Sequence, residues 1–231
     1  MKKVSIDGSN LKSYCELDIS GSKSESNRIL ILKSIFNNIK INNLSSSDDT
    51  SVLNHSLQNL NENIDVGHAG TSMRFLTAYL ATLENKKFII SGSDRMHQRP
   101  IGLLVDALNS LGFKVNYLNN TGFPPLEIIG SKNLHQEVVL KSHISSQFVS
   151  ALTFIAPSLD NGLRIILQDD ITSKPYINMT ISILNKIGVD ATFEKNLINV
   201  KPTKKINDMI YDVESDWSSV SYFFSMVALT K

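Results

Sequence analysis

The chain repeats itself, and self-similarity over this length constrains the architecture before any single element is assigned. Three segments of one kind recur: Ser22-Lys23-Ser24-Glu25-Ser26-Asn27-Arg28, Gly70-Thr71-Ser72-Met73-Arg74-Phe75-Leu76 and Ser145-Ser146-Gln147-Phe148-Val149-Ser150-Ala151. Each opens on small or hydroxyl-bearing residues and continues apolar, the pattern of a helix start. The step from the second to the third runs from Thr71 to Ser145. A second pair keeps nearly that step: Arg99-Pro100-Ile101-Gly102-Leu103-Leu104 is echoed by Lys174-Pro175-Tyr176-Ile177, and Pro100 to Pro175 is a single position longer. Proline suits the first helical turn, where its missing N–H costs nothing.

The helices that follow these prolines carry core faces at helical spacing: Leu104, Leu108 and Leu111 in one, Ile177, Ile181, Leu184 and Ile187 in the other. Between helices lie short β-rich runs: Lys87–Ile90, Lys114–Tyr117, Leu126–Ile129, Val138–Leu140 and Leu163–Leu167. The unit therefore reads strand, helix, strand, helix, strand, strand, and the fold class is α/β. Three units are expected over residues 13–214, at about 13–65, 66–135 and 136–214. The first is short, because Leu60–Val66 leaves little room for a closing hairpin. A fourth helix start, Trp217-Ser218-Ser219-Val220-Ser221-Tyr222-Phe223-Phe224, follows the third at almost the same interval, Ser145 to Ser218. Its apolar face of Phe223, Phe224, Val227 and Leu229 has no partner within its own unit. The expectation is that these residues are the front portion of a longer protein; the alternative is a terminal helix docked on the domain.

With 231 residues, 42% of them hydrophobic, the chain can bury a core of one large domain or two small ones. Its 23 Lys and Arg against 22 Asp and Glu leave no global field that would draw it to nucleic acid or an acidic membrane. Any anion site must be local. Cys15 is the only cysteine and forms no internal disulfide, and the Met1-Lys2-Lys3-Val4 opening leads into no long apolar run. The apolar stretch Phe148–Pro157 is too short and too interrupted to cross a bilayer. A cytoplasmic protein is expected. Five histidines, His55, His68, His97, His135 and His143, show no metal-ligand spacing, and neither a P-loop nor a dinucleotide fingerprint is present. No metal or cofactor is expected.

The local anion site is predicted at the helix starts. A helix opening leaves unpaired N–H groups and a partial positive charge. Lys23 and Arg28 place full positive charges where acids are ordinarily preferred, which calls for an external anion. Gly70-Thr71 with Arg74 repeats the arrangement in the second unit, glycine allowing a ligand close to the backbone. Arg99, in the extended residue before Pro100, projects a planar fork suited to phosphate or carboxylate. Ser145, Ser146 and Gln147 supply neutral donors at the third start, where one serine would suffice as a cap. Ser173 and Tyr176 flank Lys174-Pro175 and are either ligand donors or a cap and a packed ring. Asp48-Asp49 reads first as a helix cap, and no acid–base pair stands out.

Gly21-Ser22-Lys23-Ser24-x-Ser26-Asn27-Arg28, Ala69-Gly70-Thr71-Ser72-Met73-Arg74, Arg95-Met96-x-x-Arg99-Pro100-Ile101, Ser145-Ser146-Gln147-Phe148 and Ser173-Lys174-Pro175-Tyr176-Ile177 resemble, in order, the motifs of the 5-enolpyruvylshikimate-3-phosphate synthase family. The resemblance runs from about Gly21 to the last residue and covers about the front half of a family member. It implies two lobes of three βαβαββ units each, an inside-out α/β barrel of the enolpyruvyl transferase type, with residues 1–12 and 215–231 belonging to the second lobe, which this chain lacks. It implies transfer of the enolpyruvyl group of phosphoenolpyruvate to the 5-hydroxyl of shikimate 3-phosphate, by addition and elimination through a tetrahedral intermediate, without a metal. By motif, Lys23, Gly70, Thr71, Arg74, Arg99 and Gln147 would meet phosphoenolpyruvate, with Lys23 also catalytic. Ser24, Arg28, Ser145, Ser146, Gln147, Ser173 and Tyr176 would meet shikimate 3-phosphate. The catalytic carboxylates would lie in the second lobe, so these residues alone would bind and not turn over. The full-length protein would be monomeric. His68 stands where the family commonly has Asn, and Phe75 where it commonly has Pro. Two rival readings remain: the related transferase acting on UDP-N-acetylglucosamine, which normally carries a reactive loop cysteine, and a non-catalytic sugar-phosphate-binding module.

Overall fold

The computed structural model describes residues 14, 16–140, 145–168 and 173–229. The readings that rest on residues 1–12, Cys15 and His143 lie outside them. In chain order the elements are α1 (Lys23–Ile35), β1 (Ile39–Asn42), α2 (Asp48–Gln58), β2 (Asn63–Asp65), α3 (Gly70–Ala81), β3 (Lys87–Ser91), α4 (Gly102–Ser110), β4 (Lys114–Tyr117), β5 (Leu126–Ile129), β6 (Glu137–Leu140), α5 (Ser146–Ile155), β7 (Leu163–Leu167), α6 (Lys174–Lys186), β8 (Ala191–Glu194), β9 (Leu197–Val200), β10 (Met209–Asp212) and α7 (Trp217–Leu229).

The repeat predicted from sequence is present in the second and third units down to individual hydrogen bonds. Both form four-stranded sheets of the same topology, β2-β3-β5-β4 and β6-β7-β9-β8, in which the first pair is parallel and the rest antiparallel. In the second unit the Asn109 side chain near the end of α4 accepts from Val115 N–H at 2.9 Å and donates to Val115 O at 3.0 Å. In the third unit Asn185 of α6 does the same with Ala191, at 3.0 and 2.9 Å. The helix-to-strand turn between each pair is made by a glycine in the left-handed region, Gly112 (φ 96°) and Gly188 (φ 92°), which costs a side-chain-bearing residue strain.

The core is helical. Glu25 to Leu32 of α1 are all buried, as are Ser72 to Ala81 of α3 and Phe148 to Ile155 of α5. A helix covered all round belongs inside. These three pack on one another, with Phe75 and Phe154 meeting edge to face at a centroid distance of 5.3 Å. The sheets cover them with one face, so alternate strand residues such as Phe88 and Ile90, or Ile165 and Leu167, point inward.

Two unit boundaries move. Residues 63–65, assigned from sequence to the first unit, form β2 and pair with β3 in the second sheet. Residues 209–212, assigned to the third, form β10 and run parallel to β1, from Ile39 beside Met209 to Asn42 beside Asp212. The first unit has no hairpin after α2, and β10 supplies β1 with a neighbour instead. No residue of α7 is buried, and Trp217, Phe224 and Leu229 are 71%, 62% and 85% exposed.

Candidate functional site

The three core helices begin at one end of the molecule. Ser22 caps α1, its hydroxyl accepting from Glu25 N–H, and Ser145 caps α5, accepting from Gln147 N–H at 3.3 Å. Lys23 is exposed at the first position of α1. Arg28 is only 3% exposed. Its guanidinium donates to Ser24 O at 2.8 Å, Thr180 Oγ1 at 3.1 Å and Ser150 Oγ at 3.2 Å, and lies 5.6 Å from the ring centres of both Phe75 and Tyr176. One side chain thus ties α1 to α5 and α6. Burial draws its pKa down to about 10, against the opposing influence of Tyr176.

These starts enclose a cleft of about 410 Å³. From α1 it is lined by Lys23, Ser24, Asn27 and Arg28, from α3 by Thr71, from α5 by Ser146 and Gln147, and from α6 by Tyr176. Asp216 and Ser218, at the start of α7, close another side. The sequence reading assigns no site role to Asn27, Asp216 or Ser218. Asn27 is fully buried, its Oδ1 accepting from Thr50 Oγ1 at 2.7 Å while its Nδ2 has no hydrogen-bond partner among the described residues. The signal for Asn27 is its place between the two cations of the first motif. Asp216 accepts from Ser218 N–H and Ser219 Oγ, which makes it the cap of α7. Ser145 and Ser173 stand at the starts of α5 and α6, outside the residues that line the cleft; Ser173 makes no side-chain cap bond.

Arg99 lies in a neighbouring cavity of about 410 Å³ lined by His68, Arg95, Met96 and Arg99. Its guanidinium rests on Gly70, where a Cβ would fall 2.1 Å from one of its terminal nitrogens. That packing, rather than a left-handed turn, is what glycine permits here. Lys23 and Arg28 therefore share one cleft while Arg99 occupies the next, and the two adjoin at Gly70-Thr71.

Two sequence expectations change. Arg74 lines neither cavity. It is 6% exposed, donates to Gly70 O at 2.7 Å and Pro100 O at 3.2 Å, and lies over the Phe148 ring. Burial and repulsion from Arg99 lower its pKa to about 10, with Asp49 opposing. It fixes the two backbone segments that carry Gly70 and Arg99. The Thr71 amide is likewise engaged, donating to Asp49 Oδ1 at 3.3 Å, while Ser72 Oγ donates to Asp49 O at 2.9 Å. Ser47 caps α2, and Asp49 caps α3 instead of its own helix. Lys23, Arg28, Arg74 and Arg99 thus stand around the start of α3 with Asp49 among them, a balance that favours an incoming anion. Among the described residues no group of three or more His, Cys, Asp or Glu is placed to hold a metal, and no helix is long and apolar enough to cross a membrane.

The family model of EPSP synthase (3-phosphoshikimate 1-carboxyvinyltransferase) matches residues 61–231. The chain belongs to the EPSP synthase family. Relatives named 3-phosphoshikimate 1-carboxyvinyltransferase include two from Bacteroides fragilis: that of strain YCH46 is 41% identical over 215 residues, that of strain ATCC 25285 43% over 216. Each alignment takes in 93% of this chain and 52% of the relative. A relative from Colwellia psychrerythraea is 35% identical over 244 residues, covering 93% of this chain and 57% of its own. The chain spans about half the length of the curated relatives it matches. An EPSP synthase structure from Acinetobacter baumannii superposes with a TM-score of 0.75 at 18% identity, over 90% of this chain and 52% of that one. At that identity the likeness concerns the fold: one lobe's worth of mixed α/β units.

Proposed function

We propose that the cleft between α1, α5 and α6 receives shikimate 3-phosphate, and that Arg99 and Gly70 beside it receive phosphoenolpyruvate. The complete protein then transfers the enolpyruvyl group to the 5-hydroxyl and releases phosphate, as a cytoplasmic, monomeric enzyme. The observation that carries this reading is the meeting of Lys23 and Arg28 with the hydroxyls of Ser24, Thr71, Ser146 and Tyr176 in one cleft. A sugar phosphate asks for that combination, with cations for the phosphate and neutral donors for the ring hydroxyls.

In this reading the 5-hydroxyl gives up its proton to a base as its oxygen bonds to C2 of phosphoenolpyruvate, and the methylene carbon takes up a proton from an acid. The resulting tetrahedral adduct then breaks its C2–O bond to phosphate and gives the methyl proton back. Both substrates are anions, and Lys23, which lines the cleft together with Thr71, offsets their repulsion. Arg28 is held by three acceptors before any ligand arrives, so it stabilises charge without reorganising. Asp216 accepts two hydrogen bonds at the start of α7, and the family resemblance puts the carboxylates that move protons in the second lobe.

Calorimetric titration with shikimate 3-phosphate tests the reading: the expected affinity is about millimolar or tighter, strengthened by phosphoenolpyruvate, with no heat from UDP-N-acetylglucosamine. Absence of heat at saturating shikimate 3-phosphate refutes it.

A further inference from the structure

Among the described residues one carboxylate is buried, and this chemistry does not use it. Glu25, in the first turn of α1, is 8% exposed. Its Oε1 accepts the Tyr211 phenol at 2.5 Å and its Oε2 accepts Glu214 N–H at 2.8 Å. Burial, the hydrogen bond to Glu25 and the negative charges of Glu25 and Glu214 push the phenol's pKa up, so it stays a donor. Lys186 lies 4.1 Å above the same ring.

For stability alone this is an odd residue to keep. Removing a carboxylate from water is unfavourable, its two partners are neutral donors, and an apolar side chain of similar volume would commonly do as well. It also works against anion binding, two residues from Lys23 and next to Ser24. What it does is join two chain segments that both reach the cleft. Around it Ser22 N–H donates to Glu214 O at 2.7 Å, Asp216 N–H donates to Ser20 O at 3.0 Å, and Gly21 bridges Ser215. One segment brings Lys23 and Ser24 to the cleft; the other brings Asp216 and Ser218.

We infer that Glu25 is a positioning residue whose carboxylate staples the start of α1 to Tyr211 and Glu214, holding Lys23 and Ser24 in register with Asp216 and Ser218. The consequence for ligand affinity rests on the shikimate 3-phosphate reading of the cleft; the staple itself does not. Both bonds are made to one carboxylate. Glu25→Gln keeps an acceptor for the Glu214 N–H only by turning its NH2 to the phenol, which must then swing its own hydrogen away, and both arms lose the help of the charge.

The test measures amide exchange by NMR and shikimate 3-phosphate affinity by calorimetry, well below each variant's unfolding temperature. Glu25→Gln is expected to raise exchange at Glu214 and Asp216 about tenfold, an opening of the staple by one decade, and to weaken binding at least fivefold. Tyr211→Phe removes one arm only and should do both to a lesser degree, which keeps the test usable if Glu25→Gln folds poorly. Ile198→Ala, in the core face of β9, lowers the unfolding temperature and changes neither readout. Wild-type exchange at Glu214 in both Glu25→Gln and Tyr211→Phe overturns the staple. Faster exchange with wild-type affinity overturns its role in the cleft. If the unaltered protein binds no shikimate 3-phosphate, the function proposed above falls, and exchange alone decides the staple.

Discussion

Replacing Gly70 by alanine separates the fold from the site, because the two respond with opposite sign. Gly70 is the first residue of α3 and is absent from the glycines with positive φ, so alanine meets no backbone strain there. Its added Cβ would stand 2.1 Å from a terminal nitrogen of Arg99 and 2.5 Å from Cζ, and ordinary contact begins at 3.4 Å. The guanidinium must therefore withdraw until the nearer of those separations has opened from 2.1 Å to 3.4 Å. Arg99 is only half-buried and its side chain is long, so the retreat strains nothing in the core. Stability should rise by about 0.5–1 kcal/mol, through the smaller entropy of the unfolded chain. For a domain of this size that is a rise of about 1–4 °C in unfolding temperature. A hydrogen bond to a charged group is worth about 1.5–3 kcal/mol, so losing that contact should weaken phosphoenolpyruvate binding by roughly 10- to 10²-fold. Differential scanning fluorimetry and phosphoenolpyruvate titration, with shikimate 3-phosphate present, read the two effects. A raised unfolding temperature with unchanged phosphoenolpyruvate affinity refutes the placement of that substrate against Arg99. A fall of several degrees refutes the claim that the neighbour yields.

Arg28→Met should abolish shikimate 3-phosphate binding in calorimetry yet leave the protein as stable or more so at pH 7, since a buried cation is exchanged for an apolar chain of similar length. The sign with pH follows from linkage. Arg28 has its pKa lowered to about 10, so its charged form is disfavoured in the folded state, and that penalty lifts as pH rises from 10 toward the unfolded value of 12.5. The stability advantage of the methionine variant should accordingly shrink above pH 10 in alkaline thermal melts, and an advantage that grows there contradicts the assignment. Asp49→Asn keeps an acceptor for Thr71 N–H and removes the acid beside Arg74 and Arg99. It should cost about 0.3–1 kcal/mol of stability at the α3 start while tightening anion binding severalfold at low salt, and unchanged affinity there counts against an anion site at that helix. Phe224→Lys, on a helix with no buried residue, should shift stability by no more than about 0.5 kcal/mol, and a larger loss in thermal melts would mean that α7 packs on the lobe.

What could be read from the sequence was local, and what could not was set by distant partners. The runs Lys114–Tyr117, Leu126–Ile129 and Leu163–Leu167 became strands with those bounds, because β-branched alternation and flanking turns act within a few residues. The helix starts were legible for the same reason: Ser22 and Ser145 reach amides two or three positions on. By contrast β1, near the front of the chain, finds its partner β10 beyond both complete sheets, and Asp49 caps a helix other than its own. Neither leaves a trace in local composition. The cations fall between these cases. Their presence at helix starts pointed to an anion site, but the motif alone could not say which of them faces outward. One signal was available for Arg28. It precedes Ile29-Leu30-Ile31-Leu32 in a helix whose residues 25–32 are all buried, and a helix with no solvent face over that span has nowhere to put a charge except inside. A cation there must meet partners from other helices, as Arg28 meets Ser150 and Thr180. Lys23, two residues before the buried span begins, remains at the rim. The same motif thus yields one fixed charge and one solvent-facing charge, and under the function proposed above the first would anchor shikimate 3-phosphate while the second follows the reacting group.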